Sequence, residues 1–259
     1  MFKKLLGIAP NPTEDGAFMP SRLALKLATS SKTDYDGGAY LKPYKGGKSR
    51  VLVVLTEERN MTMANGKKFS TGNHPVEMAL PMLHLQAAGF ALDIVTPTGA
   101  PAAIEMWAMP KEDIAVTKLF SDYADASKNP GSLVKFAVNS LIDDTPYVGV
   151  FIPGGHGAML GLPENEDLGK ILRWAHEKNI SIENFGSGPP GVLPPTRDCY
   201  TKDRCQRGSS RSGTSWTHFH LSKCPPSLGP IPPSPFPRLS NVPSPPTRLF
   251  SYGLLLPIF

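Results

Sequence analysis

Three apolar runs limit what this chain can fold into. Residues 50–56 read Arg-Val-Leu-Val-Val-Leu-Thr, residues 90–96 read Phe-Ala-Leu-Asp-Ile-Val-Thr, and residues 147–152 read Tyr-Val-Gly-Val-Phe-Ile. Near-continuous runs with β-branched side chains suit strands buried on both faces, as in a parallel sheet covered by helices. Between the first two runs, residues 73–89 carry a helical pattern. Pro75 fits its first turn and Gly89 its C-terminal cap. Pro81 lies inside that pattern and predicts a kink. Strand, helix and strand with short connections make a βαβ unit. Residues 164–178 form another amphipathic helix, with Leu168, Ile171, Leu172 and Ala175 on one face. Residues 180–182, Ile-Ser-Ile, begin a fourth strand. The fold class is α/β, a parallel sheet flanked by helices.

The rest of the chain is organised around that core. Residues 1–48 are punctuated by Pro, Gly and Ser and read as an extended N-terminal arm. The core runs over 49–188. Within it, residues 98–145 read as an insertion with amphipathic stretches near 112–126 and 130–142. From Pro189 to Phe259 there are 15 prolines in 71 residues, so this tail is expected to supply no packed core. The tail also carries the charge. It holds eight Lys/Arg and two Asp/Glu from Asn184 onward. That leaves 27 − 8 = 19 basic and 22 − 2 = 20 acidic residues before it. A near-neutral front and a sparsely basic tail point to no nucleic-acid partner. All three cysteines (Cys199, Cys205, Cys224) lie in the tail, which speaks against a disulfide framework. The apolar stretch after Met1 is too short for a signal-peptide core, and the last six residues are too short to span a bilayer. No membrane association and a cytoplasmic location are expected.

Five segments together point to a family. They are Asp36-Gly-Gly-Ala-Tyr-Leu-Lys-Pro-Tyr44, Asn65-Gly-Lys-Lys-Phe-Ser-Thr-Gly-Asn-His-Pro-Val-Glu77, Leu85-Gln-Ala-Ala-Gly-Phe90, Trp107-Ala-Met-Pro110 and Ile152-Pro-Gly-Gly-His-Gly-Ala158. Over residues 1 to about 182, their order and spacing resemble the glutathione-independent glyoxalase III and heat-shock chaperone branch of the ThiJ/PfpI superfamily. The resemblance implies a flavodoxin-like core, truncated here after about the fourth strand. It implies methylglyoxal-to-lactate conversion, a debated deglycation activity and the holding of unfolded protein clients, in a homodimer without a cofactor. Glu77 matches the family's proton-shuttling carboxyl, a role that a buried acid beside a thiolate can play. Gly154 and Gly155 match a turn whose backbone N–H groups face the substrate oxygen, where glycine allows close approach.

The nucleophile does not carry over. Aligned from Trp174, Gly186 stands where the family has cysteine and Ser187 where it has the adjacent histidine. Glycine has no side chain with which to attack an aldehyde. The family's metal ligands fall on Gln86, Ala91 and Tyr123, none of the expected ligand type, so no metal is expected. Other signals have plainer readings. His156 reads as structural or exposed, and His74 as a helix-start residue. Ser187 has Phe185 where a serine elbow needs glycine. Cys199, Cys205, His218, His220 and Cys224 match no paired zinc spacing. The PxxP spacing near Arg238 arises readily in proline-rich sequence. The abrupt change of character near Glu183 suggests a shifted frame, an aberrant splice or a gene-model error, a degenerate pseudogene product, or a genuine disordered extension on a truncated relative. The chain is therefore expected to be an inactive relative of the enzymes, with a holdase or scaffold role as the alternative.

Overall fold

The computed structural model describes residues 6–184. In chain order the strands are β1 (Asn11–Pro12), β2 (Ala17–Met19), β3 (Arg50–Val54), β4 (Asn60–Thr62), β5 (Lys68–Ser70), β6 (Ala91–Thr96), β7 (Gly131–Ser132), β8 (Tyr147–Ile152) and β9 (Ser181–Asn184). The helices are α1 (Arg22–Ala28), α2 (Pro75–Ala87), α3 (Ile114–Asp122), α4 (Ala124–Lys128), α5 (Leu133–Asn139) and α6 (Glu166–Glu177). β3, β6 and β8 are the three apolar runs, and β9 is the expected fourth strand. With β7 they form one sheet, ordered β7-β6-β3-β8-β9 and parallel at every pairing.

The alternation along β3 divides the core. Leu52 and Val54 face one layer, with Val150 and Ile152 of β8 and with Leu168, Ile171, Leu172 and Trp174 of α6. Val51, Val53 and Leu55 face the other, with Met78 and Met82 of α2 and Val116 and Leu119 of α3. All of these side chains are buried. Covering both faces is what makes the strands read as unbroken apolar runs. The starts of the strands are tied by charge. The Arg50 guanidinium pairs with both carboxylate oxygens of Asp93, and the Tyr147 hydroxyl donates to Asp93 Oδ2 at 2.9 Å.

Helix ends follow their sequence signals. The Gly89 N–H donates to the Gln86 carbonyl at 2.9 Å and the Phe90 N–H to the Leu85 carbonyl at 3.1 Å. With Gly89 at φ +95°, this is a Schellman cap. Asn179, at φ +54°, closes α6 in the same way. α2 runs through Pro81 without a break. The proline offers no N–H to the carbonyl of residue 77, so the helix loses one bond but keeps its buried face.

The front of the chain is more structured than its composition suggests. β2 pairs with β5 in a second, four-stranded sheet, ordered β1-β2-β5-β4. Segment 98–145, read as an insertion, gives the main sheet its edge strand β7 and gives the core Val116, Leu119, Leu133 and Phe136. The proline-rich segment from residue 189 lies outside the described residues. Among the described residues, no helix is long and apolar enough to cross a membrane.

Candidate functional site

Asn73 gathers the loops that leave the C-terminal ends of the parallel strands, where open α/β sheets place their sites. It is fully buried. Its Oδ1 accepts from the Thr56 N–H at 3.1 Å, and its Nδ2 donates to the Thr56 carbonyl at 3.0 Å and the Ala103 carbonyl at 2.7 Å. The backbone repeats the stitch. The Asn73 N–H donates to the Ala103 carbonyl at 2.7 Å, and the Glu105 N–H to the Asn73 carbonyl at 3.0 Å. Three loops, after β3, before α2 and after β6, are thereby locked together.

The glycine turn after β8 packs into this junction. The Gly154 carbonyl accepts from the His74 N–H, and the Gly72 carbonyl from the Gly157 N–H, both at 3.0 Å. Gly155 has φ +120°, and a Cβ there would stand 2.4 Å from the His74 nitrogen and 2.5 Å from the Gly72 oxygen. At Gly157 a Cβ would lie 2.7 Å from the Gly72 Cα. Only glycine allows such an approach of backbone to backbone. Gly154 and Gly155 thus sit against the start of α2.

Glu77 stands in the first turn of α2, where a carboxylate also complements the helix dipole. Its Oε2 is shut away from solvent. His74 caps the helix, its Nδ1 accepting from the Glu77 N–H at 3.5 Å. That contact leaves the neutral ring protonated on Nε2. Burial pushes the His74 pKa down, partly opposed by the charge of Glu105.

Sequence reasoning passed over Glu105. Its side chain is fully buried. Oε1 accepts from the Thr71 hydroxyl at 2.9 Å and the His156 N–H at 3.3 Å, and lies 3.2 Å from His156 Nδ1. His156, expected to be structural or exposed, is both: its side chain is 46% exposed and its inner edge is paired. The hydrogen bond to Glu105 raises its pKa, against burial, and the charges of Glu105 and Glu77 act in the same direction. Phe69 meets the imidazole edge-on at 5.4 Å and Trp107 at 5.9 Å, while the Trp107 indole donates to the Ser70 carbonyl at 3.1 Å. The small sheet thereby supplies an aromatic wall beside the turn.

Two of the three positions expected to lack metal ligands are in contact. The Gln86 amide donates to the Tyr123 hydroxyl at 3.1 Å, and Ala91 opens β6. Among the described residues no cluster of three His, Cys, Asp or Glu side chains is placed to hold a metal. Gly186 and Ser187, at the nucleophile and histidine positions, lie outside the described residues, as do the three cysteines.

Over 186 residues, 72% of its length, the chain is 46% identical to the protein/nucleic acid deglycase HchA of Pseudomonas aeruginosa, covering 64% of that protein. Over this matched part the chain resembles the HchA deglycases. The deglycase HchA of Staphylococcus aureus is likewise 46% identical, over 71% of this chain and 63% of its own. The chain therefore spans less than two thirds of the length of these HchA relatives. No model of a known protein family matches the sequence. Among solved structures, glyoxalase III from Candida albicans aligns with a TM-score of 0.44 and 24% identity, over 57% of this chain and 59% of that one.

Proposed function

We propose that this chain carries the carbonyl-binding half of an HchA-like glyoxalase and deglycase site and, lacking the nucleophile, does not turn over methylglyoxal. The observation that supports this reading is the contact of the His74 N–H with the Gly154 carbonyl, at the helix start whose first turn carries Glu77. In a complete site, the Gly154 and Gly155 N–H groups would face the oxygen that gains charge as a thiolate adds to the aldehyde. Glu77 would hold and return the proton moved in forming lactate. No cofactor or metal enters this scheme. With Gly186 at the attacking position, no covalent adduct forms.

The test is methylglyoxal consumption without glutathione, followed by lactate formation. We expect none from this chain. Turnover that is lost in Ser187→Ala would overturn the reading and make Ser187 the nucleophile. The relatives' name includes nucleic acid, so glycated bases join glycated side chains as carbonyl adducts to assay. Our reading without a nucleic-acid partner rests on the near-neutral charge of the front of the chain.

A second reading is favoured by exposed apolar side chains. Leu27, Leu41, Ile114, Val138 and Ile142 are all exposed. Such surface suits a holdase for unfolded clients, which needs no nucleophile. Suppression of a client's aggregation at stoichiometric ratio supports it; a soluble preparation that gives none removes it. A cytoplasmic homodimer is the state we propose for either role, checked by fractionation and light scattering.

A further inference from the structure

We infer that Glu105 is a positioning residue for the Gly154–Gly155 turn, its buried carboxylate clamping both the backbone and the ring of His156, the residue that follows the two glycines. The inference rests on the carbonyl-binding reading only for the purpose of the turn. The clamp itself is a matter of geometry. One oxygen, Oε1, takes the Thr71 hydroxyl, the His156 N–H and the His156 ring. The other, Oε2, is buried and has no hydrogen-bond partner among the described residues.

A carboxylate withdrawn wholly from water is costly unless it is paired. A glutamine could offer the same accepting oxygen to Thr71 and to the His156 N–H. What glutamate adds is charge, and the imidazole at 3.2 Å is placed to answer it. The groups acting electrostatically on that ring are Glu105 from the loop after β6 and Glu77 from α2, and His74 feels the ring in return. Glu105 is itself held. Its N–H is bonded to Asn73, whose amide is fixed to the end of β3 and to Ala103. A rigid path thus runs from the central strand through Asn73 and Glu105 to His156 and the turn. It fixes both the backbone and the ring of the residue that follows the two glycines.

The experiment uses the isotope-labelled full chain and its Glu105→Gln and Glu105→Ala variants, with no aldehyde present. It follows the His156 ring titration by NMR and the hydrogen exchange of the Gly155, His156 and Gly157 amides. The Glu105→Gln change should move the His156 midpoint down toward or below the ordinary 6.5. The Glu105→Ala change should speed turn-amide exchange by about tenfold or more, while the amides of β3 and β8 keep their protection. An unchanged midpoint in Glu105→Gln overturns the proposal, as do unmoved turn amides in a folded Glu105→Ala. Should Glu105→Ala not fold, the near-isosteric Glu105→Gln decides alone through its midpoint. Absence of methylglyoxal turnover leaves this result untouched, so the two readings fail separately.

Discussion

Gly155 and His156 adjoin in sequence but differ in how far each could be read. The Gly-Gly pair announces a sharp turn after a strand, and the structure gives the reason: at Gly155 a Cβ would meet backbone atoms of His74 and Gly72, which no rotamer change can relieve. Gly155→Ala should therefore cost about 2–4 kcal/mol in urea unfolding. Glu105 was not legible, because it is a single carboxylate whose partners lie 34 and 51 residues away along the chain. Its effect should show in the pH profile. The raised pKa of His156 contributes stability that is full below the unfolded value of 6.5 and is lost as pH rises through the folded value. The lowered pKa of His74 works the other way. Its contribution is full above 6.5 and is lost as pH falls through the folded value. Unfolding free energies measured from about pH 5 to 8 should pass through a maximum near the ordinary histidine value. His156 is half in water, which screens its share. A steady rise in stability across that whole range would remove the His156 pairing as its source.

Elements buried on both sides were the easiest to read. β3, β8 and α6 each carry their burial in their own residues, as apolar runs or as an apolar stripe. The small sheet was not legible, since strands of two or three residues such as β1 and β2 are too short for a period to register. β7 escaped notice for the same reason. C-terminal caps were legible only where glycine stood; Asn179 adopts the same left-handed conformation and gave no comparable signal. Packing sets the expected cost of substitutions. Ile171 is fully buried between α6 and the sheet, so Ile171→Ala should lose about 2–5 kcal/mol. Ile114, the first residue of α3, is 82% exposed, and Ile114→Ala should stay within about 0.5 kcal/mol of the parent. At the start of α6, Asn165 Oδ1 accepts from the Leu168 N–H at 2.8 Å, and Asn165→Ala should cost about 1 kcal/mol. Equilibrium denaturation of the three variants side by side tests the ranking.

The molecule as a whole raises the question of what completes the sheet. Among the described residues β9 is the last strand of the main sheet and pairs with β8. More than a third of the length of the HchA relatives lies outside the match. On the proposed reading the nucleophile position, Gly186, follows β9, so the test concerns the stretch of chain after residue 184. A domain holds only about 5–15 kcal/mol of net stability, and an incomplete core can consume all of it. A chimera that joins residues 1–184 of this chain to the corresponding C-terminal part of the Pseudomonas relative separates the possibilities. On the proposed reading of the glycine turn and Glu77, it should unfold in one sharp, reversible thermal transition and consume methylglyoxal. The chain as it stands should aggregate on heating and consume none. If the chimera folds but stays inactive, the carbonyl-site reading of the front of the chain is wrong. If the original chain itself melts sharply and reversibly, its sheet needs no such completion, and the holdase role becomes the one to pursue.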